Sequence, residues 1–164
     1  MTAIVDLKSI GGAPGFLALN NRFAAETSFL EPEDWAGLLS RSWLALAVAD
    51  NAGFLLAFDR KPTAVSPNFD WFAERGDGFV YIDRVVIDPA FQGRGTGRAL
   101  YLRLFEAARD AGFGRVVCEV NLDPPNLVSL AFHQRMGFEA VGETRLENGK
   151  EVRYFVLKLW GGMS

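Results

Sequence analysis

The chain has 164 residues, enough for one domain with a full hydrophobic core. Hydrophobic residues make up 49% of the chain and charged residues 23%, which excludes a disordered protein, and the net charge of −3 argues against a nucleic-acid binder. Cys118 is the only cysteine and His133 the only histidine, so an internal disulfide is excluded and we expect no metal site.

The first forty residues predict a strand followed by two helices. Residues 4–7 predict the strand, and a Gly/Pro cluster at residues 11–15 ends it. Residues 16–25 predict the first helix and residues 33–40 the second, with Pro32 near its start. The chain shows neither an export signal nor an apolar run near the roughly 20 residues that span a bilayer, so we expect a cytoplasmic protein.

The next segment predicts a hairpin and then a long loop. Two apolar runs at residues 43–49 and 54–58 are joined by a short Asp/Asn/Gly turn, which is typical of a β-hairpin. Residues 60–78 are rich in proline and glycine and predict a loop. Three aromatic side chains of this loop could wall a pocket, and the alternative is that they belong to the core: Phe69, Trp71 and Phe72.

The second half of the chain predicts strands that alternate with helices. Residues 79–87 predict a strand, and residues 95–111 predict an amphipathic helix that Gly112 ends. Residues 115–120 predict the next strand. The two prolines after Asp123 interrupt the chain there, because proline cannot donate a hydrogen bond to a strand ladder.

The last forty residues predict one helix and a closing hairpin. Asn126 is a good N-cap for a helix that runs to about residue 136. Residues 138–145 and 151–159 predict two strands around Asn148-Gly149. Because hairpins occur beside a strand–helix–strand unit, the pattern predicts a mixed α/β sheet and not a fully parallel one.

The sharpest motif follows the strand at residues 79–87. Its sequence is Gln92-Gly93-Arg94-Gly95-Thr96-Gly97. Glycines allow a tight turn and a close approach of the backbone to a ligand, and the unpaired N–H groups at the start of the next helix suit a phosphate. The segment fits neither the dinucleotide fingerprint G-x-G-x-x-G nor a P-loop, but it fits the pattern Q/R-x-x-G-x-G/A.

A second segment about thirty residues downstream supports the first. Residues 126–138 read N-L-V-S-L-A-F-H-Q-R-M-G-F. Together with Asp88-Pro89 and the glycine motif, this segment resembles the GNAT superfamily of acyl-CoA-dependent N-acyltransferases over residues 81–138. The rest of the chain fits that family by element order only.

The resemblance implies a fold and an organisation of the chain. It implies a mixed, mostly antiparallel, twisted α/β (α+β) sheet of about six or seven strands, flanked by about four helices, with a splayed central strand pair. We expect one domain over residues 1–164. Within it, residues 1–77 would form the acceptor side, residues 78–138 the acyl-CoA-binding core and residues 139–164 the closing hairpin.

The resemblance also implies which residues bind acetyl-CoA. The strand backbone would hold the pantetheine arm, with an N–H near Val86 polarising the thioester carbonyl, and the loop amides would hold the pyrophosphate. For two of these residues a structural role is the alternative to a cofactor contact. Asn126 can be a helix cap, and Ser129 can be a small residue that the helix tolerates. The implied cofactor-binding residues are Val85, Val86, Ile87, Gln92, Gly93, Arg94, Gly95, Thr96, Gly97, Arg98, Asn126 and Ser129.

His133 departs from the family pattern. It occupies the position where many members carry a tyrosine that protonates the leaving thiolate. A histidine can serve as a general acid near neutral pH, so we expect a catalytic role for it. The alternative is a structural histidine packed against Phe132 and Phe138.

The acceptor amine must lose a proton, and three side chains are candidates for taking it. They are Tyr81 and Asp83 on one strand and Glu119 on its neighbour. The two-residue period of a strand predicts that Tyr81, Asp83, Val85 and Ile87 share one face. Asp83 among apolar neighbours needs a partner, for which Arg84 and Arg153 are candidates.

The sequence therefore predicts an acetyl-CoA-dependent N-acetyltransferase with a small-molecule primary amine as acceptor. The alternatives are a protein or peptide N-acetyltransferase, an acyl-CoA sensor without turnover, and an unrelated phosphate-binding protein. Residues 1–77 carry 6 basic and 10 acidic side chains, and this acidic excess suits a cationic acceptor. Residues 78–164 carry 11 basic and 10 acidic side chains, and this more basic half suits an anionic cofactor. We expect neither a nucleic-acid nor a membrane partner, and a homodimer is left open.

Overall fold

One seven-stranded sheet organises the chain, with strand order β1-β2-β3-β4-β5-β7-β6. A computed structural model describes residues 3–10 and 14–160. Neighbouring strands run antiparallel except β4 and β5, which are parallel. The strands are β1 (Ile4–Asp6), β2 (Leu44–Val48), β3 (Gly53–Phe58), β4 (Phe79–Ile87), β5 (Arg115–Asp123), β6 (Glu139–Arg145) and β7 (Glu151–Lys158).

Helices cover both faces of this sheet. Those that the structure describes are α1 (Pro14–Arg22), α2 (Ala24–Thr27), α3 (Pro32–Arg41), α4 (Pro67–Ala73), α5 (Thr96–Asp110) and α6 (Leu127–Arg135). Side chains of α5 and α6 pack on one face, and side chains of α1, α3 and α4 pack on the other. The mixed, mostly antiparallel α/β fold is thus confirmed, and the single domain stays a prediction.

Most predicted elements are present, and the differences are local. The strand at 79–87 and both hairpins are confirmed. The predicted loop at residues 60–78 contains a short helix, α4, because Phe69 and Phe72 bury their rings in a cluster with Phe79 and Tyr81. Residues 11–13 of the predicted Gly/Pro cluster and residues 161–164 of the closing segment lie outside the described residues.

The central strands β4 and β5 diverge after three paired residues. Phe79–Tyr81 pairs with residues 115–117 of β5, and no pairing of these two strands follows. Beyond that point β4 stays paired with β3 and β5 stays paired with β7. The splayed central pair is therefore confirmed. It leaves backbone groups on the facing edges of β4 and β5 without strand partners.

A β-bulge in β4 changes which side chains share a face. The register with β3 shifts between the pairs Leu56–Arg84 and Ala57–Ile82, so one residue of β4 is extra. The prediction that Tyr81, Asp83, Val85 and Ile87 share one face is wrong for this reason. Tyr81 and Asp83 lie on the side of α3 and α4, whereas Val85 and Ile87 lie on the side of α5 and α6.

Candidate active site

A cavity of about 870 Å³ opens where β4 meets α5 and α6. We call it the Gly-loop cavity. Its wall includes every predicted cofactor-binding residue except Arg94, whose guanidinium lies 5.5 Å from the centre of the Phe91 ring. Its lining includes Thr27, Val85, Val86, Ile87, Gly95, Arg98, Tyr101, Asn126, Ser129 and His133.

The start of α5 offers the cavity unpaired backbone donors. Gly95 is the N-cap residue, with a φ of 77°, a left-handed conformation that glycine adopts without strain. No side chain caps this terminus, so the first N–H groups of α5 lack partners within the helix. These donors and the positive end of the helix dipole suit an anion. Arg98 in the same turn also lines the cavity and adds a full charge.

Asn126 caps α6 and also lines the Gly-loop cavity. Its side-chain oxygen accepts a hydrogen bond from the backbone N–H of Ser129 at 3.1 Å. Its interpretation as an N-cap is therefore confirmed. The cofactor contact that the resemblance implies stays a prediction.

His133 is buried on α6, and both ring nitrogens have partners. Nδ1 lies 2.8 Å from the carbonyl oxygen of Ser129, and Nε2 lies 2.8 Å from the hydroxyl of Tyr101. The imidazole stacks on Phe155 and contacts Phe138 edge-on. Burial lowers the pKa of His133 below its usual value, while the bond to Ser129 opposes the shift. His133 thus lines the cavity, and its role there stays a prediction.

A second cavity, of about 550 Å³, lies on the other face of the splayed pair. We call it the Glu119 cavity. Tyr81, Asp83 and Glu119, the three candidates for the base, all line it. Its wall also includes residues of α2, of α3, of the start of α4 and of the tip of the β6–β7 hairpin.

Glu119 has the environment of a general base. Its carboxylate accepts a hydrogen bond of 2.7 Å from the hydroxyl of Tyr81, and Asn68 bonds to it as well. The pKa of Glu119 is raised to about 7, mainly by burial and also by the charge of Asp83, while hydrogen bonds, including those from Tyr81 and Asn68, act in the opposite direction. A carboxyl group with a pKa near 7 can take up a proton efficiently at neutral pH.

Asp83 has a structural partner. Its carboxylate lies 3.0 Å from Nε of Arg84, and that guanidinium also donates to the side chain of the fully buried Asn20 at 3.0 Å. The prediction that Arg84 pairs with Asp83 is confirmed. The alternative partner, Arg153, pairs with Glu143 instead.

Thr27 lines both cavities, so the short helix α2 lies where they meet. The Gly-loop cavity reaches the open edge of β4 from one side, and the Glu119 cavity reaches the splayed pair from the other. A ligand lying along the open edge would therefore present its end to a second molecule near Glu119. This arrangement suits the transfer of a group between two bound molecules.

Sequence reasoning missed two polar residues of the site. Tyr101 lies one turn after Gly97 on the face of α5 that turns inward, a spacing that could have indicated it. Asn68 lies in α4, which the sequence did not predict. Phe69 and Phe72, for which the sequence left open a pocket wall or a place in the core, are core residues.

A glycine loop at a helix N-terminus beside a splayed strand edge suits an extended, phosphate-bearing ligand. The model of the acetyltransferase (GNAT) family matches residues 18–138. The chain therefore belongs to the GNAT acetyltransferase family.

Individual relatives match over part of their length. Mycothiol acetyltransferase of Rhodococcus erythropolis is 39% identical over 97 residues, which is 55% of this chain and 31% of that protein. The L-amino acid N-acyltransferase MnaT of Escherichia coli is 36% identical over 69 residues, covering 42% of this chain and 39% of that protein. The chain thus spans about a third of the length of the curated relatives that it matches.

Solved structures share the whole fold. A putative acetyltransferase from Salmonella typhimurium, yncA with its cofactor acetyl-CoA, has a TM-score of 0.70 at 20% identity and covers 96% of this chain and 94% of that one. The ribosomal-protein-S18-alanine N-acetyltransferase from Escherichia coli also has a TM-score of 0.70, at 18% identity, covering 97% and 94%. At these identities the likeness concerns the fold.

The described part of the chain shows neither a candidate metal site nor a membrane-spanning helix. Among residues 3–10 and 14–160, no group of three His, Cys, Asp or Glu side chains could hold a metal ion. No helix in those ranges is long and apolar enough to cross a membrane.

Proposed function

We propose that this protein transfers an acetyl group from acetyl-CoA directly to the primary amine of a small molecule. The carrying observation is the pair of cavities that meet at Thr27 on either side of the splayed strands. One has the donors for a phosphate-bearing arm, and the other has a carboxyl group with a pKa of about 7.

The residues around the Gly-loop cavity fit acetyl-CoA. The amides at the start of α5, together with Arg98, would hold the pyrophosphate. The unpaired edge of β4 at Val85, Val86 and Ile87 would hydrogen-bond the pantetheine arm in the manner of an added strand. Bound in this way, acetyl-CoA supplies an activated acetyl group.

Residues on both sides of the splay would then carry the reaction. Glu119 takes the proton of the attacking amine, and Tyr81 holds its carboxylate in place. The backbone N–H near Val86 stabilises the negative charge that develops on the thioester oxygen. Asp83 contributes through its ion pair with Arg84, which forms part of the acceptor wall.

A small acceptor is supported by the size of the Glu119 cavity and by the name of the MnaT relative, an L-amino acid N-acyltransferase. The ribosomal-protein acetyltransferase with the same fold represents the alternative, a protein or peptide acceptor. The homodimer and the cytoplasmic location stay predictions.

The first experiment is a thermal melt with acetyl-CoA, with ATP and NAD as controls. A ligand at about 100 times its Kd stabilises a protein by roughly 2.7 kcal/mol, so we expect a rise in Tm of several degrees with acetyl-CoA. An equal rise with ATP would mean that the loop binds phosphate alone. A panel of free amines, amino acids and peptides then separates the acceptor classes, and binding without turnover on any of them would indicate a sensor.

A matched pair of glycine variants tests the loop itself. Gly95→Val places a branched side chain in the phosphate-binding loop at a φ of 77°, and we expect at least tenfold weaker acetyl-CoA binding. Gly112→Val imposes similar backbone strain at the other end of α5, where φ is 87°, and should leave the affinity unchanged. Native affinity in Gly95→Val would contradict the assignment of the loop.

A further inference from the structure

The bond between His133 and Ser129 determines where the imidazole carries its proton. A backbone carbonyl oxygen can only accept a hydrogen bond. Nδ1 lies 2.8 Å from the carbonyl oxygen of Ser129 and 3.3 Å from the hydroxyl of the same residue. The shorter contact is a hydrogen bond only if Nδ1 carries the hydrogen, so we assign the hydrogen of the neutral ring to Nδ1. Nε2 is then a bare acceptor, and Tyr101 donates its hydroxyl hydrogen to it across 2.8 Å.

This chain of hydrogen bonds has a direction. It runs from the Tyr101 hydroxyl through the imidazole of His133 to the carbonyl of Ser129. In this state His133 has no hydrogen to donate towards the Gly-loop cavity. The resemblance implies that His133 protonates the leaving thiolate. Since His133 has no hydrogen available for the sulfur in this state, another group must donate the hydrogen bond to the sulfur.

Tyr101 is the group placed to make it. It lies on α5 one turn beyond Gly97 and lines the Gly-loop cavity together with Val85 and Ser129. Its ring is held edge-on against Phe132, so the hydroxyl has a fixed position. The titratable groups that face Tyr101 are His133 from α6 and Cys118 and Glu119 from β5.

We propose that Tyr101 is a catalytic residue that contacts the sulfur of the acyl donor and protonates it, with His133 as the positioning residue behind it. This inference rests on the proposed acetyl transfer. The resemblance implied that the imidazole of His133 protonates the sulfur, and this proposal gives that role to the hydroxyl of Tyr101.

The proposed proton transfer uses the same hydrogen bond between His133 and Tyr101 in the direction opposite to that of the neutral chain. With a solvent proton on Nε2, His133 donates to the oxygen of Tyr101, and the Tyr101 hydroxyl points to the sulfur. As the C–S bond breaks, the sulfur keeps the electron pair and takes the proton of Tyr101, while Tyr101 takes the proton from Nε2. The chain is then in the arrangement that the structure shows, and water returns a proton to His133 before the next turnover.

The closing experiment compares CoA with desulfo-CoA, which lacks the sulfur atom. Kd values of both ligands are measured by calorimetry for the native protein and for Tyr101→Phe. We expect CoA to bind about tenfold more weakly to the variant and desulfo-CoA to bind equally well to both. Tyr154→Phe removes the same kind of hydroxyl on the opposite face of the sheet and should change neither value.

Each result has a distinct meaning. Equal weakening of both ligands in Tyr101→Phe would make the tyrosine a packing residue and overturn the proposal. Tyr101→Leu provides the same comparison if the phenylalanine variant does not fold. Failure of the native protein to bind CoA at all would instead overturn the proposed function.

A double-mutant cycle on kcat tests whether the two residues act as one unit. We expect His133→Phe to lower kcat in the native background and to add no further loss in Tyr101→Phe. The same loss in both backgrounds would mean that His133 acts on the sulfur by itself, which would overturn the assignment to Tyr101.

Discussion

At the scale of single residues, Glu119 shows how neighbours determine the chemistry of a side chain. Its carboxyl group is held by Tyr81 and Asn68 and lies near the charge of Asp83. Burial is the largest cause of its raised pKa, about 7 instead of 4.5. A base must be ionised to accept a proton, so this carboxyl becomes active as the pH rises through about 7.

The pH dependence of the reaction tests this role. We expect kcat/KM to rise about tenfold per pH unit below pH 7 and to level off above it, because only ionised Glu119 can act as the base. Glu119→Gln should lower kcat by roughly 10²–10⁴-fold and abolish the rise. Asp83→Asn is the control. It removes a charge that raises the pKa of Glu119, so the rise should remain but shift to lower pH.

If kcat/KM of Glu119→Gln still rises with pH as in the native protein, Glu119 is not the base and another group takes the proton. A rise that does not move in Asp83→Asn would mean that the charge of Asp83 has no influence on the carboxyl of Glu119.

The helix cap of Asn126 and its predicted cofactor contact can be separated by substitution. Asn126→Ala removes the bond to the N–H of Ser129 and should lower the free energy of unfolding by about 1 kcal/mol. Asn126→Asp keeps a capping oxygen and should retain that stability. If its amide also contacts the cofactor arm, the aspartate variant will bind acetyl-CoA more weakly despite its native Tm. Native affinity in Asn126→Asp would limit Asn126 to capping.

At the scale of elements, the close approach of β6 to α4 depends on one glycine. A Cβ atom at Gly142 would lie 2.5 Å from Cζ2 of Trp71. The indole cannot move aside easily, because Tyr154 stacks on it at 4.2 Å and the guanidinium of Arg75 lies 3.7 Å from its ring centre. The contact fixes how the closing hairpin lies against the helix beside the Glu119 cavity.

Gly142→Ala should therefore lower the free energy of unfolding by about 1–3 kcal/mol, as overpacking does elsewhere. Chemical denaturation measures this change. Gly37→Ala is the matched control in α3, where the nearest atom to the new methyl group is 3.9 Å away, and it should be neutral or slightly stabilising. Native stability in Gly142→Ala would show that the indole can move.

At the scale of the whole molecule, charge is divided between two regions. Residues 1–77 carry an acidic excess and residues 78–164 are nearly balanced. Glu33 and Asp34 of α3 line the Glu119 cavity, and the charge of Arg84 there is paired with Asp83. Arg41 and Lys150 also line this cavity, so its excess of negative charge is small. We expect this excess to favour a cationic acceptor there, and Arg98 with the start of α5 to favour an anionic cofactor in the Gly-loop cavity.

Ionic strength tests this division. Raising the salt concentration from about 0.05 to 0.5 M should raise KM for a cationic amine by roughly two- to fivefold, since screening weakens attraction between exposed charges. KM for an acceptor without net charge should change less. An equal effect on both acceptors would indicate that the charge of the acceptor side does not contribute to binding.

Much of the fold follows from short-range patterns. The mostly apolar run at 79–87, the Asn–Gly turn of the closing hairpin and the Asn126 cap each act over a few residues. The strand, the hairpin and the cap that they predict are present in the structure. The glycine motif before α5 also predicts its left-handed turn, because Gly95 at a φ of 77° caps the helix.

The site depended on contacts that no local pattern contains. The bulge in β4 separates Tyr81 from Val85, although a two-residue period places them on one face. Helix α4 forms because its aromatic rings find partners in β4 and β7, and it brings Asn68 to Glu119. These arrangements are set by packing between distant elements, which overrides the local preference of a segment.

The sequence by itself determined the family, the order of the elements and the glycine loop, because these depend on residues close together in the chain. Only the tertiary structure decided the hydrogen-bond partners and the pKa shifts of the site. Tyr81 and Glu119 are 38 residues apart and Tyr101 and His133 are 32 apart, yet each pair shares a hydrogen bond shorter than 3 Å. Burial and hydrogen bonding between such distant residues set the chemistry, and they exist only once the chain has folded.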